Sequence, residues 1–190
     1  MEEIEKILEK EIQDRCNRES NFFGPTAFNH IKSVRDNAEY LASKYENVDR
    51  DAVVIAAWLH DIASITDKKY YEEHHVYGAN MAEEILNKLD FPKEKIELIK
   101  RCILNHRGSV LKEKLSKEEI VVADADAISH FDNVPELFYL AYIVRKLSHE
   151  EGKEFVKNKL ERSYNKLSQD SKEIYKEKYR NVMSIFNVEN

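Results

Sequence analysis

One run of letters limits this chain more than any other: "DAVVIAAWLHDIASI", residues 51 to 65. From Ala52 to Leu59 every residue is apolar, so a helix here is apolar nearly all round. Such a helix belongs at the centre of a domain, wrapped by others. Yet the run meets His60 and Asp61, an imidazole beside a carboxylate. Burying them is costly unless each finds a partner.

The remaining text supplies the wrapping. "EEIEKILEKEIQDRC" has Ile4, Ile7, Leu8 and Ile12 on one side, a first amphipathic helix. "ESNFFGPT" interrupts it, and "AFNHIKSVRDNAEYLASKY" follows with Ile31, Val34, Ala38 and Leu41 at helical spacing. The central run reads as one continuous helix, "NVDRDAVVIAAWLHDIA", and "SITDKKYYEE" as a loop. "HHVYGANMAEEILNKL" and "DFPKEKIELIKRCILNH" return to helical period, the second with Pro92 at its start. "RGSVLKEKL" breaks the pattern. "SKEEIVVADADAISHFDN" opens with Ser116 and Glu119 in a capping-box arrangement, and "VPELFYLAYIVRKLSHEEG" makes a helix that Gly152 ends. After Lys153 the text suits two closing helices whose mixed charges read as a solvated face.

No segment alternates strictly enough for a strand. Four glycines and three prolines are too few for a many-turned sandwich or barrel. The expectation is an all-α bundle of about seven to nine helices. Its 190 residues, 42% hydrophobic, suffice for a single domain over 1–190 with its own core.

Charge and composition exclude several functions. A net charge of −6 argues against a broad nucleic-acid surface. The start, "MEEIEKILEKEI", is acidic and amphipathic, unlike a secretory signal, and "AVVIAAWL" is too short to span a bilayer. Cys16 and Cys102 stand apart from each other and from any nucleophile motif. A reduced, cytoplasmic setting follows. Oligomeric state stays open.

The chemistry lies in His30, the His60–Asp61 pair, His74, His75, His106, Asp124 and Asp126. Each falls in or beside an apolar helical segment, where solvation alone does not explain it. Imidazole nitrogen with carboxylate oxygen, and no thiolate, suits a divalent ion: Mn, Fe, Mg, Co, Ni or Zn. Neighbours on a helix point about 100° apart, close to the angle between adjacent octahedral ligands. Four protein ligands leave about two of six positions for water and substrate.

"FNHIKSVRDNAEYLA", "AAWLHDIAS" and "VVADADAISHF" together resemble the HD-domain superfamily of metal-dependent phosphohydrolases, defined by H…HD…D. "HHVYGANMAEEIL" and "CILNHRGS" are similar to further segments of that superfamily. The resemblance runs from about residue 26 to 132, leaving 133–190 as closing helices. It implies His30, His60 and Asp61 as metal ligands, with Asp124 or Asp126 as the fourth. "ADAI" fits the last motif best with Asp126. Some branches carry two more histidines and two metals, and His74 and His106 match them. The resemblance therefore implies one or two divalent ions.

It also implies a small phosphate ester or anhydride as substrate, with a nucleotide expected. Many relatives have Arg three residues after the first His, where this chain has Ser33. Lys32, Lys68, Lys69 and Arg107 are the basic groups that could contact phosphate instead, Arg107 foremost because its fork matches phosphate oxygens. Asp61 or a loop carboxylate, Glu72 or Glu73, would take a proton. Two other readings share this chemistry: a di-iron oxygenase of the same superfamily, and a nucleotide sensor without turnover. His130 and His149 receive no role.

Overall fold

The computed structural model describes residues 1–107 and 114–186. Most of "RGSVLKEKL", including Gly108 and Ser109 of the "HRGS" motif, lies outside them. Among the described residues there is no strand. The long helices are α1 (Glu2–Cys16), α2 (Ala27–Ala42), α3 (Arg50–Leu59), α5 (His74–Lys88), α6 (Lys93–Asn105), α7 (Lys117–Asp132), α9 (His149–Lys166) and α10 (Gln169–Met183). Short α4 (Ile62–Thr66) and α8 (Val134–Tyr139) lie between them. The eight long helices fall within the expected seven to nine. None of the described helices is long and apolar enough to cross a membrane.

Helix α3 is the axis. Every residue from Ala52 to Leu59 is at most 5% exposed. Burying each large aliphatic among them is worth about 1.5–3 kcal/mol. Asp49 starts the helix by accepting a hydrogen bond from the Ala52 N–H at 3.1 Å. Helices α1, α2, α6 and α7 pack round it, and α9 packs on the far side of α7.

Three local expectations change. The run 47–63 is not one helix: α3 ends at Leu59 and α4 begins at Ile62. His60–Asp61 forms the break, with Asp61 at φ −107° and ψ 15°. The ~100° argument for consecutive helical positions therefore does not apply to this pair. The segment read as a loop, 64–73, finishes α4 and then forms a 3₁₀ turn, Lys68–Glu73, started by Asp67, which accepts from the Lys69 N–H at 2.9 Å. Gly152 does not stop a helix. Chain 134–144 ends in a π-type turn, and a new helix starts at a Ser148–Glu151 capping box. Gly152 lies in the first turn of α9 because a Cβ there would collide with the Tyr142 ring.

Ser116 caps α7 as expected, accepting from the Glu119 N–H at 3.3 Å. Glu119 does not return the favour. Its carboxylate is fully buried and accepts from Asn105 at 2.8 Å and from the Leu115 N–H at 3.2 Å. It thereby anchors the end of α6 to the start of α7.

Candidate metal centre

Four histidines reach one point from four places in the chain, and each is held by its Nδ1. His60, at the end of α3, donates Nδ1–H to the Ala57 carbonyl at 2.7 Å. His74, at the 3₁₀-to-α5 junction, donates to the Tyr71 carbonyl at 2.8 Å. His106, just after α6, donates to the Ile103 carbonyl at 2.6 Å. All three use the carbonyl three residues back, at the end of a helical segment. His30, in α2, has Nδ1 2.9 Å from the Ser129 hydroxyl. That hydroxyl donates to the Asp126 carbonyl at 2.7 Å, so it accepts from His30.

A carbonyl can only accept, so these contacts put the proton on Nδ1 and turn the Nε2 atoms inward. His30 Nε2 and His60 Nε2 are 3.3 Å apart, as are His74 Nε2 and His106 Nε2. Nitrogen lone pairs this close repel unless a cation or proton lies between them. A shared proton is disfavoured at His30 and His106. Burial, then the neighbouring His60, pushes His30 down to about 4 and His106 down to about 3.

The carboxylates complete two sets. Asp61 Oδ2 is 3.5 Å from His60 Nε2 and 3.8 Å from His30 Nε2. Its other oxygen, Oδ1, is 3.5 Å from His74 Nε2. Asp126 Oδ1 is 3.5 Å from His30 Nε2. His30, His60 and Asp126 thus form one triad of donor atoms within 4.8 Å of one another, and Asp61, His74 and His106 form another. Asp61 lies between them. Burial alone would raise its pKa, but the surrounding imidazoles, His60 first, hold it down at about 2. Asp126 is held well below the carboxylate range against burial, chiefly by Lys166, whose ammonium sits 2.6 Å from Oδ2. Six side chains that offer nitrogen and oxygen donors, and no thiolate, fit a pair of divalent ions.

Asp124 turns away. Two residues before Asp126 on α7, it accepts from the Ser168 N–H at 3.0 Å and from the Ser168 hydroxyl. It fastens the start of α10 and takes no part in the cluster. His75 shows its ring edge to His74 at 5.8 Å between centroids.

All of the cluster but the fully buried His60 lines a cavity of about 760 Å³. Arg107 lines it too, its guanidinium donating to the Glu72 carbonyl. The other candidate contacts point elsewhere. Lys32 is exposed 3.9 Å from Glu9, Lys69 is exposed 3.4 Å from Asp67, and Lys68 is exposed beside it. None of the three lines the cavity. Glu72 and Glu73 are exposed as well, because the 3₁₀ turn aims these side chains at solvent. Arg35 goes to Glu5 on α1, at 2.8 Å.

In their place stand residues the sequence reading passed over. From α9, Phe155, Lys159, Arg162, Ser163 and Lys166 line the cavity, on the helix read as a solvated face. Their i, i+4, i+7, i+8 and i+11 spacing is the signal that could have found them. His130, 6% exposed, stacks on the His30 ring at 5.2 Å, and its Nδ1 lies 3.1 Å from the Ser163 hydroxyl. At the mouth, Tyr71 stacks on Phe22 at 3.8 Å, and Arg145 lies over both rings. No Cys joins the chemistry: burial, then the charge of Asp61, pushes the Cys16 thiol up to about 12. A shallower apolar groove, between α8 and α10, holds none of these groups.

The family model described as HD domain matches residues 27–130, more than half of the 190-residue chain. No curated protein and no solved structure matches the chain. The chain belongs to the HD-domain family.

Proposed function

We propose that this HD-domain chain is a two-metal phosphohydrolase acting on a small phosphate ester or anhydride, with a nucleotide as the expected class. The family implies a metal-dependent phosphohydrolase superfamily. The observation that carries the reading is the pair of donor triads, with Asp61 of the second also beside His30 and His60 of the first, at a cation-lined cavity. His30, His60 and Asp126 would hold one divalent ion, His74 and His106 the other, with Asp61 offering one oxygen to each. When bound, such ions supply Lewis acidity toward phosphoryl oxygens and lower the pKa of water.

The chain's own groups do the rest. The Nδ1 hydrogen bonds of His60, His74 and His106 fix ring orientation and tautomer, the role outer partners play at metal sites. Asp61 has imidazoles on both oxygens, which suits a bridging ligand and leaves neither oxygen clear to act as a base. Lys166 holds Asp126 so that Oδ1 faces His30. Arg107 stands at the cavity wall, where its guanidinium balances charge on a phosphoryl group. Tyr71, Phe23 and Phe155 provide apolar surface for the organic part of a nucleotide.

A di-iron oxygenase would use the same donors, but the cationic wall favours a phosphate. The test is a nucleotide panel with manganese-loaded protein, reading released phosphate, pyrophosphate and nucleoside. Turnover that His60→Ala abolishes is expected. Absence of turnover on every substrate, with oxygen uptake by iron-loaded protein, would overturn the assignment.

A further inference from the structure

We propose that Lys159, with Arg162 beside it on α9, binds a second phosphoryl group, so that this site takes phosphoanhydrides in preference to phosphomonoesters. This rests on the phosphohydrolase reading above and narrows its substrate class.

The cavity-facing side of α9 divides its work. Lys166 is committed to Asp126 at 2.6 Å. Ser163 is committed to His130 at 3.1 Å and to the Lys159 carbonyl at 2.8 Å. Lys159 and Arg162 line the same cavity, yet neither makes a side-chain hydrogen bond or ion pair among the described residues. By contrast Lys95, Lys100 and Arg35, which are also partly buried, each pair with carboxylates. Lys159 is partly buried. Asp126 and Asp61 act on its charge from farther off, but no carboxylate pairs with it directly; a partly buried ammonium without a direct ion pair costs free energy that a bound anion recovers.

Charge balance points to the same ligand. The cavity wall carries Arg107, Arg145, Lys159, Arg162 and Lys166 against Asp61, Asp126 and Glu136. Asp61 and Asp126 belong to the donor triads, and Glu136 accepts from Asn29 at 2.9 Å. A phosphomonoester brings a charge of about −2 at most, which a divalent pair on the floor already matches. Arg107, Arg145, Lys159 and Arg162 then remain over, and while Arg107 donates to the Glu72 carbonyl and Arg145 to the Tyr71 hydroxyl, Lys159 and Arg162 have no such partner among the described residues. A diphosphate or triphosphate supplies the further charge, with one phosphoryl on the floor and the next against α9. Lys159 is four residues from Ser163, one helical turn from the group that touches His130. Helix α9 lies beyond the residues 27–130 matched by the family model.

The probes are imidodiphosphate, whose P–N–P bridge resists hydrolysis, and orthophosphate. Calorimetry on manganese-loaded protein should show imidodiphosphate bound at least about ten-fold tighter than orthophosphate. Lys159→Ala should erase most of that difference and leave orthophosphate within about two-fold, while Lys159→Arg should retain it. In steady state, Lys159→Ala should raise KM for a nucleoside triphosphate and leave the matching monophosphate unchanged. Equal weakening of both probes, no weakening, or no preference in the wild-type protein would each overturn the proposal. Lys159-dependent binding of imidodiphosphate without turnover of any nucleotide would sink the hydrolase reading and keep the diphosphate site. Turnover with Lys159→Ala affecting mono- and triphosphates alike would do the reverse.

Discussion

His106→Ala tests the two-triad centre most sharply, because its effect should depend on metal. His106 is 3% exposed, and truncating a side chain that buried ordinarily costs about 1–3 kcal/mol. Here the metal-free cost should fall at the low end. The ring removed faces His74 Nε2 at 3.3 Å, so a repulsion leaves with it. With metal the balance reverses. An ion held at a free concentration 100 times its Kd stabilises the fold by about 2.7 kcal/mol. For a chain of this size that is about 5–11 °C of Tm. His106→Ala leaves the second triad with only Asp61 and His74, and that increment should vanish. The first triad, His30, His60 and Asp126, is untouched. The assays are elemental analysis of dialysed protein and melting curves with and without chelator. Metal content should fall from two equivalents to one. The metal-induced rise in Tm should shrink by about 5–11 °C, more than the metal-free Tm moves. If the variant keeps the wild-type metal content and the same metal-induced rise, a second ion at Asp61, His74 and His106 is refuted.

Three other expectations follow from the geometry. Metal-free protein should lose stability as pH falls from 7 to 5, because the unfolded chain protonates its histidines near 6.5 whereas folded His30 waits until about 4 and His106 until about 3. At pH 5 this amounts to about 2 kcal/mol for His30 alone, and a metal-free Tm flat over that range would contradict it. Asp124→Ala should lower Tm, since it strips acceptors from the Ser168 N–H and hydroxyl at a cost of about 1–3 kcal/mol, yet leave metal content at the wild-type level; lost metal would place Asp124 in the centre after all. Glu72→Gln should leave kcat and KM within about two-fold, because the side chain is exposed outside the cavity, and a large fall in kcat would restore it as an acid or base.

Much of the centre was legible early because its parts are local. A fully apolar stretch from Ala52 to Leu59 must be interior whatever surrounds it, which makes α3 the axis of the bundle. The donor types were legible too. Histidines and aspartates in apolar segments demand partners, and imidazole with carboxylate limits those partners to a short set of ions. His74 and His106 came into view through the resemblance of their segments to the HD-domain superfamily.

Direction was not legible. Asp124 and Asp126 differ by two positions on α7, and only the packing of α10 gives Ser168 to the first and leaves the second for His30. Lys32, Lys68 and Lys69 are the same kind of residue as Lys159 and Lys166, yet the first three meet solvent and the last two meet the cavity. A long charged side chain on an amphipathic helix carries no local mark of which neighbour it will face. The docking of α9 against α7 makes that choice. The break at His60–Asp61 is likewise tertiary. The sequence by itself determined which atoms can bind a metal; the fold decided which of them meet, because convergence depends on how helices far apart in the chain pack.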